Sequence, residues 1–260
     1  MSSNNGAKIL AMAGKGGTGK TTLTALLIKY LTSMNLTPVL AVDADANANL
    51  NELLGLDVDV TLGEIRDRMK TETPQGMTKN EFMEFHINQA IIEASGFDLL
   101  VMGQPEGPGC YCMANSILAE VMAKLARNYR YLLVDNEAGM EHLSRLNLRK
   151  IDTLFVVSDP SARGILTAAR IAELTKALAV QVQQKVLVVN RVPQPVPESL
   201  DNHVKDAVSK TDLLFGGYVA ASQEIFDTEM AQGSLLELPE NTPAVQQAFK
   251  IFDKFIGSGQ

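Results

Sequence analysis

Short runs of consecutive apolar residues recur along the chain. They are Lys8–Ala13 (KILAMA), Pro38–Asp43 (PVLAVD), Asp98–Gly103 (DLLVMG), Tyr129–Asp135 (YRYLLVD), Thr153–Ser158 (TLFVVS), Lys185–Asn190 (KVLVVN) and Leu214–Val219 (LFGGYV). The runs are near-continuous rather than alternating, which is the pattern of strands covered on both faces and belongs to a parallel sheet. Between them apolar positions return with a helical period, over Thr21–Ser33, Met113–Arg127 and Gly164–Leu178. A series of this kind predicts an α/β fold, doubly wound, with a mostly parallel sheet, helices on both faces and right-handed crossovers. Thr61–Ala90 is polar and reads as helical insertions at the surface. The proline-rich Val192–Ser199 reads as an extended connector, because each proline fixes φ and restricts its predecessor. In Ala244–Gly257, Val245, Ala248, Phe249, Phe252 and Phe255 fall near one face, which predicts a helix packed on the domain. Asp253 interrupts its basic face between Lys250 and Lys254, so a membrane partner is not expected. With no internal repeat and no low-complexity linker, one domain is expected over 8–257, after a disordered tail at 1–7.

Composition narrows the picture. The chain has 260 residues, 46% apolar and 20% charged, as in an ordinary soluble globule. Its net charge of −7 argues against a nucleic-acid partner, since a phosphate backbone selects for excess Lys and Arg. No apolar run reaches the roughly 18 residues of a spanning helix, and the N-terminus lacks the apolar stretch of a signal peptide. The two cysteines, Cys110 and Cys112, make no disulfide scaffold, and a cytoplasmic setting is the expectation.

The first apolar run ends in Gly14-Lys15-Gly16-Gly17-Thr18-Gly19-Lys20-Thr21, and a helical pattern starts there. This fits GxxxxGK[ST], a loop whose bare backbone turns N–H groups toward phosphate oxygens at a helix N-terminus. Lys20 is expected to neutralise the β and γ phosphates, Thr21 to place its hydroxyl on Mg²⁺, and Thr22 to join the nucleotide site. Asp43 and Asp45 stand at and just beyond the end of the second run, and Asp135 ends the fourth, with Gly139 four residues on. Loops at the carboxyl ends of such strands line the ligand crevice. Asp135 and Asp43 are therefore expected near Mg²⁺. Asn47 and Asn49 are candidates for the same shell, with helix capping the simpler role for Asn49. Asn190 and Arg191 end another strand, and an amide offers the donor and acceptor that match an adenine edge. Pro239 and Glu240 are candidates to close that base pocket.

The form K-G-G-x-G-K-T resembles the deviant Walker A loop of the MinD, ParA and nitrogenase iron-protein class. In that class the early lysine, here Lys15, reaches the nucleotide of a partner subunit, so the resemblance implies an ATP-driven homodimer with nucleotides sandwiched between two chains. It also implies that Asp45, in a switch I loop, orients or activates the attacking water, that the Asp135–Gly139 region is a Walker B and switch II element, and that Asn190 recognises the base.

Cys110 and Cys112 sit in "PEGPGCYCMANS", a loop just before a helix, where a thiolate is favoured and soft metals bind. One chain supplies two sulfurs where closed sites want four ligands, and none of His86, His142 and His203 is near in sequence. The implied dimer completes the count, with Ni or Zn on the symmetry axis. "GKGGTGKTT", "DADANANL", "DNEAGMEH" and the C-x-C loop together resemble the nickel-insertion ATPases of the CooC type. That resemblance implies a metallochaperone whose client is a carbon monoxide dehydrogenase or acetyl-CoA synthase apoprotein. The alternative from the same class is a MinD/ParA-type positioning ATPase acting on a membrane, scaffold or DNA. An electron-donating iron protein would need a switch II cysteine, and "DNEAGMEHLSR" has none.

Overall fold

The computed structural model describes residues 6–104, 112–136, 150–177 and 180–257. Its strands are β1 (Lys8–Gly14), β2 (Val39–Asp43), β3 (Ile92–Ala94), β4 (Phe97–Val101), β5 (Tyr131–Asp135), β6 (Lys150–Ser158), β7 (Gln181–Val192) and β8 (Leu213–Ala220). They form a sheet of order β3-β4-β2-β5-β1-β6-β7-β8. Every neighbouring pair is parallel except β3 with β4. The doubly wound, mostly parallel α/β fold expected from the apolar runs is the one observed. The antiparallel β3 went unread because three residues, half exposed at the sheet edge, carry no apolar run. The strands β6 and β7 also start earlier than their apolar cores, where Lys150–Thr153 pairs with Gln181–Gln184.

The helices are α1 (Lys20–Ser33), α2 (Leu50–Leu54), α3 (Leu62–Thr71), α4 (Lys79–Gln89), α5 (Cys112–Leu125), α6 (Ala162–Ala177), α7 (Glu198–Lys210), α8 (Gln223–Met230) and α9 (Pro243–Ile256). Strand alternation divides the core in two. Leu10 and Met12 of β1 face a layer built from α1, α2 and α9, while Ala11 and Ala13 face α3 to α7. The polar stretch at 61–90 is helical as read, and Thr61 and Thr78 each close a capping box with the glutamate three residues on. Helix α9 lies on the sheet with Val245, Ala248 and Phe252 buried, and Phe252 meets Tyr30 and Phe155 edge-on or tilted. Its apolar stripe is thus consumed within the molecule, as the sequence predicts. Among the described residues no helix is long and apolar enough to cross a membrane.

Candidate functional site

The glycine loop runs from the end of β1 into α1. Gly14 passes so close to β6 that a Cβ there would stand 2.4 Å from the Val157 carbonyl oxygen. Gly19 has φ +88°, and a Cβ on it would meet Asn190 Nδ2 at 2.3 Å. Both contacts come from strands that follow β1 in the sheet order, so these glycines answer to tertiary neighbours as well as to loop geometry. Thr18 is buried and donates its hydroxyl to the Lys15 carbonyl at 2.9 Å. Lys20, a buried residue, donates from its ammonium to the same carbonyl at 3.3 Å. The far side of the loop is held by β7: Asn190 Nδ2 donates to the Thr18 carbonyl at 3.0 Å, and Arg191 donates to the Gly17 carbonyl at 3.1 Å. Arg191 takes φ +57°, a left-handed conformation rare for a side-chain-bearing residue, and this turns its side chain onto the loop. Lys15 is exposed, and its ammonium has no hydrogen bond or ion pair among the described residues.

Register puts two carboxylates together. Asp43 and Asp135 are partners across the β2–β5 ladder, and both fall on the α1 face. Neither is exposed to solvent. Burial, and after it the neighbouring Asp43 charge, push Asp135 up to about 7. The Thr21 and Thr24 hydroxyls and the Lys20 charge pull it the other way. Thr24 Oγ1 donates to Asp135 Oδ1 at 3.1 Å, whereas Asp135 Oδ2 is buried without a hydrogen-bond partner among the described residues. Burial likewise pushes Asp43 up to about 6, against the backbone N–H groups of Leu50 and Asp45, each 3.0 Å away. In the loop beyond, the Asp45 carboxylate accepts from the Asn47 backbone and side chain at 2.9 and 3.2 Å. Asn49 is exposed and makes no side-chain cap to α2.

Two cavities meet at this edge. A cleft of about 470 Å³ is lined by Gly16, Gly17, Gly19, Lys20, Thr21 and Asp45, among others. A second, of about 660 Å³, is walled by Asn190, Ala220, Ala221, Ile225 and Phe226. Thr22, Arg191 and Glu229 line both. Thr22 Oγ1 donates to Glu229 Oε1 at 2.8 Å, tying α8 to the start of α1. Pro239 and Glu240 are exposed and line neither cavity. The larger cavity is lined instead by residues between 220 and 229 together with Thr22, Asn190 and Arg191. The structure thus gathers Gly14 to Thr22, Asp43, Asp45, Asp135, Asn190 and Arg191 at one end of the sheet and leaves Pro239 outside.

The same edge holds the stem of the cysteine loop. Beyond the strand register, the Ala44 N–H donates to the Asp135 carbonyl at 2.9 Å and the Met102 N–H to the Asp43 carbonyl at 2.8 Å. The Met102 carbonyl in turn accepts from the Gly63 N–H at 2.8 Å. Gly103 has φ +63°, and a Cβ there would lie 2.6 Å from the Thr61 Cβ. Cys110 and Gly139 lie outside the described residues. Cys112 opens α5, and its side chain is also outside the description. Among the described residues no group of three His, Cys, Asp or Glu side chains is placed to hold a metal ion.

Residues 9–232 match the CobQ/CobB/MinD/ParA nucleotide-binding domain family. The chain belongs to this family. Within the MinD/ParA family it is 39% identical to an uncharacterized ATP-binding protein of Methanocaldococcus jannaschii, over 95% of this chain and 98% of the other. It is 28% identical to the carbon monoxide dehydrogenase accessory protein CooC of Rhodospirillum rubrum, over 79% of this chain and 81% of that one. Its fold resembles that of the septum site-determining protein MinD of Pyrococcus horikoshii, solved in complex with Mg-ADP. The TM-score there is 0.70 at 21% identity, covering 95% of each chain.

In this MinD/ParA-family member Thr24, Glu229 and Phe226 also stand beside the expected residues, Thr24 and Glu229 by hydrogen bonds to Asp135 and Thr22 and Phe226 as a cavity wall. Thr24 stands one helical turn after Lys20, so its place facing β5 was open to a helix-period argument. Glu229 and Phe226 carry no local signal, because α8 reaches the site only through the packing of the chain's last third.

Proposed function

We infer that the chain is an ATP-hydrolysing switch that closes as a homodimer and carries a soft metal ion, Ni²⁺ or Zn²⁺, as cargo for a carbon monoxide dehydrogenase or acetyl-CoA synthase apoprotein. The observation that carries this reading is a convergence at the carboxyl ends of the central strands. The glycine loop, the Asp43–Asp135 pair and the stem of the C-x-C loop meet there, the last two joined by the Met102–Asp43 backbone bond. Kinship with a carbon monoxide dehydrogenase accessory protein supports the choice of client.

In this reading the phosphates lie in the smaller cleft, against the positive end of α1 and the Lys20 ammonium. The base lies in the larger cavity beside Asn190, whose Oδ1 remains available to accept from an adenine amine while Nδ2 holds the loop. The ribose spans Thr22, Arg191 and Glu229, which line both cavities. The donor set fits Mg²⁺: a buried Asp135 oxygen without a partner among the described residues, a second raised carboxylate in Asp43 and the Thr21 hydroxyl are oxygen ligands that a hard divalent cation satisfies. When bound, Mg²⁺ neutralises charge on the phosphate oxygens. Asp45 orients the water whose oxygen attacks the γ-phosphorus as the bond to ADP breaks. Its carboxylate is engaged by Asn47, so switch I rearranges before that step. Lys15, exposed on the loop, supplies the cation for the opposite subunit's nucleotide.

ATP and metal both favour the closed dimer, so each tightens the other's binding. Nickel titration of anaerobically purified protein, with and without ATP, followed by sedimentation, tests this. Wild type is expected to bind one metal per dimer, more tightly with ATP, and the Cys110→Ala/Cys112→Ala variant to lose that site. Unchanged metal binding in the variant, or an ATP-loaded chain that stays monomeric, would refute the reading. ATP-dependent attachment to vesicles or DNA without metal binding would favour a positioning ATPase. The buried stripe of α9 weighs against its membrane version.

A further inference from the structure

Helix α8 has no buried residue, yet it stands beside the larger cavity. Its Phe226 is 55% exposed and makes no ring contact among the described residues. An aromatic side chain that lines a cavity offers a flat apolar face to a planar ligand there. Small side chains, Ala220 and Ala221 at the end of β8, line the same cavity. At about 660 Å³ the cavity falls in the roughly 300–1,000 Å³ range of small-ligand sites. It joins the phosphate cleft through Thr22, Arg191 and Glu229, so a ligand with phosphates on the glycine loop places its base here.

We propose that Phe226 is the outer wall of the base pocket and stacks on the purine ring of a bound nucleotide, with α8 drawn against the site by the Thr22–Glu229 hydrogen bond. The inference rests on the nucleotide reading above and adds the group that grips the base. Three features agree with it. A planar base suits a cavity lined by a flat ring and by the small side chains of Ala220 and Ala221. Asn190 lines the same cavity, so stacking and edge recognition can act on one ring. Ser222 caps α8, its hydroxyl accepting from the Ile225 N–H at 3.3 Å, which sets the helix start and hence where Phe226 points.

The test is equilibrium binding of ADP and of inorganic tripolyphosphate, with Mg²⁺ present, to wild type and Phe226→Ala. Base–aromatic stacking of the usual strength predicts that the variant weakens ADP by about 5- to 100-fold and leaves tripolyphosphate within about twofold. The exposed side chain can be truncated without disturbing the core, and an unchanged melting temperature checks that. The chain has no tryptophan, so Phe226→Trp installs a single indole. ADP is expected to quench its fluorescence, tripolyphosphate to leave it unchanged, and ADP affinity to be kept. ADP affinity unchanged in Phe226→Ala, equal losses for ADP and tripolyphosphate, or loss of dimerisation alone would each overturn the assignment. Wild type that binds neither ligand would instead overturn the nucleotide reading itself.

Discussion

Replacing Asp135 by asparagine removes one of two carboxylates that the β2–β5 register forces together away from water. In wild type the pair changes stability with pH in a direction that can be worked out. Asp135 has its folded value pushed up to about 7, from 3.8. The folded chain therefore holds a proton that the unfolded chain has released, over the window from about pH 4 to pH 7. Stability from this group is greatest below that window and falls as pH rises through it, by about 1.4 kcal/mol per pH unit. Between pH 5 and pH 8 wild type should lose roughly 2–3 kcal/mol on this account. Asparagine stays neutral throughout and keeps the size of the side chain, so the variant lacks this loss. Asp43, raised to about 6 chiefly by its own burial, titrates in both proteins, and removing the Asp135 charge only lessens its rise, which acts in the same direction. Urea unfolding of the nucleotide-free protein in chelator at pH 5 and pH 8 measures the difference. Near-equal stability at pH 5, and a variant more stable by roughly 1–3 kcal/mol at pH 8, is the expected result. The same variant should lose Mg²⁺-dependent tightening of ADP, because the orphaned Oδ2 is gone. A variant less stable than wild type at pH 8, or two proteins with parallel pH profiles, would refute the buried charge pair.

Further outcomes follow from individual residues. Lys15→Ala should retain ADP binding to the monomer and lower ATP turnover by roughly 10²- to 10³-fold, read by phosphate release. Loss of ADP binding in that variant would place Lys15 in its own chain's site. Gly103→Ala puts a Cβ at φ +63° against Thr61 and should lower the melting temperature by roughly 2–10 °C. An unchanged melting curve would mean that the stem of the cysteine loop is not clamped by the start of α3.

Much of this protein is legible in its amino-acid sequence alone. The apolar runs mark all but one strand, because a strand buried on both faces must be apolar along its length. The glycine loop announces its chemistry, because phosphate binding at a helix N-terminus needs bare backbone in consecutive positions. The capping boxes and the stripe of α9 are equally local. What cannot be read there is which strands become neighbours. Asp43 and Asp135 are far apart in sequence, and only the pairing of β2 with β5 makes them one buried pair with raised pKa values. The Met102–Asp43 bond depends on β4 falling beside β2. Asn190 clamps Thr18 because β7 follows β6 beside the loop, which also explains why Gly19 admits no side chain. Glu229 and Phe226 come from a helix that packs across the site by its position in the whole molecule. Chemistry that one continuous backbone segment performs is written in residue order. Chemistry that needs carboxylates, amides and rings brought together from distant segments is decided by sheet order and packing.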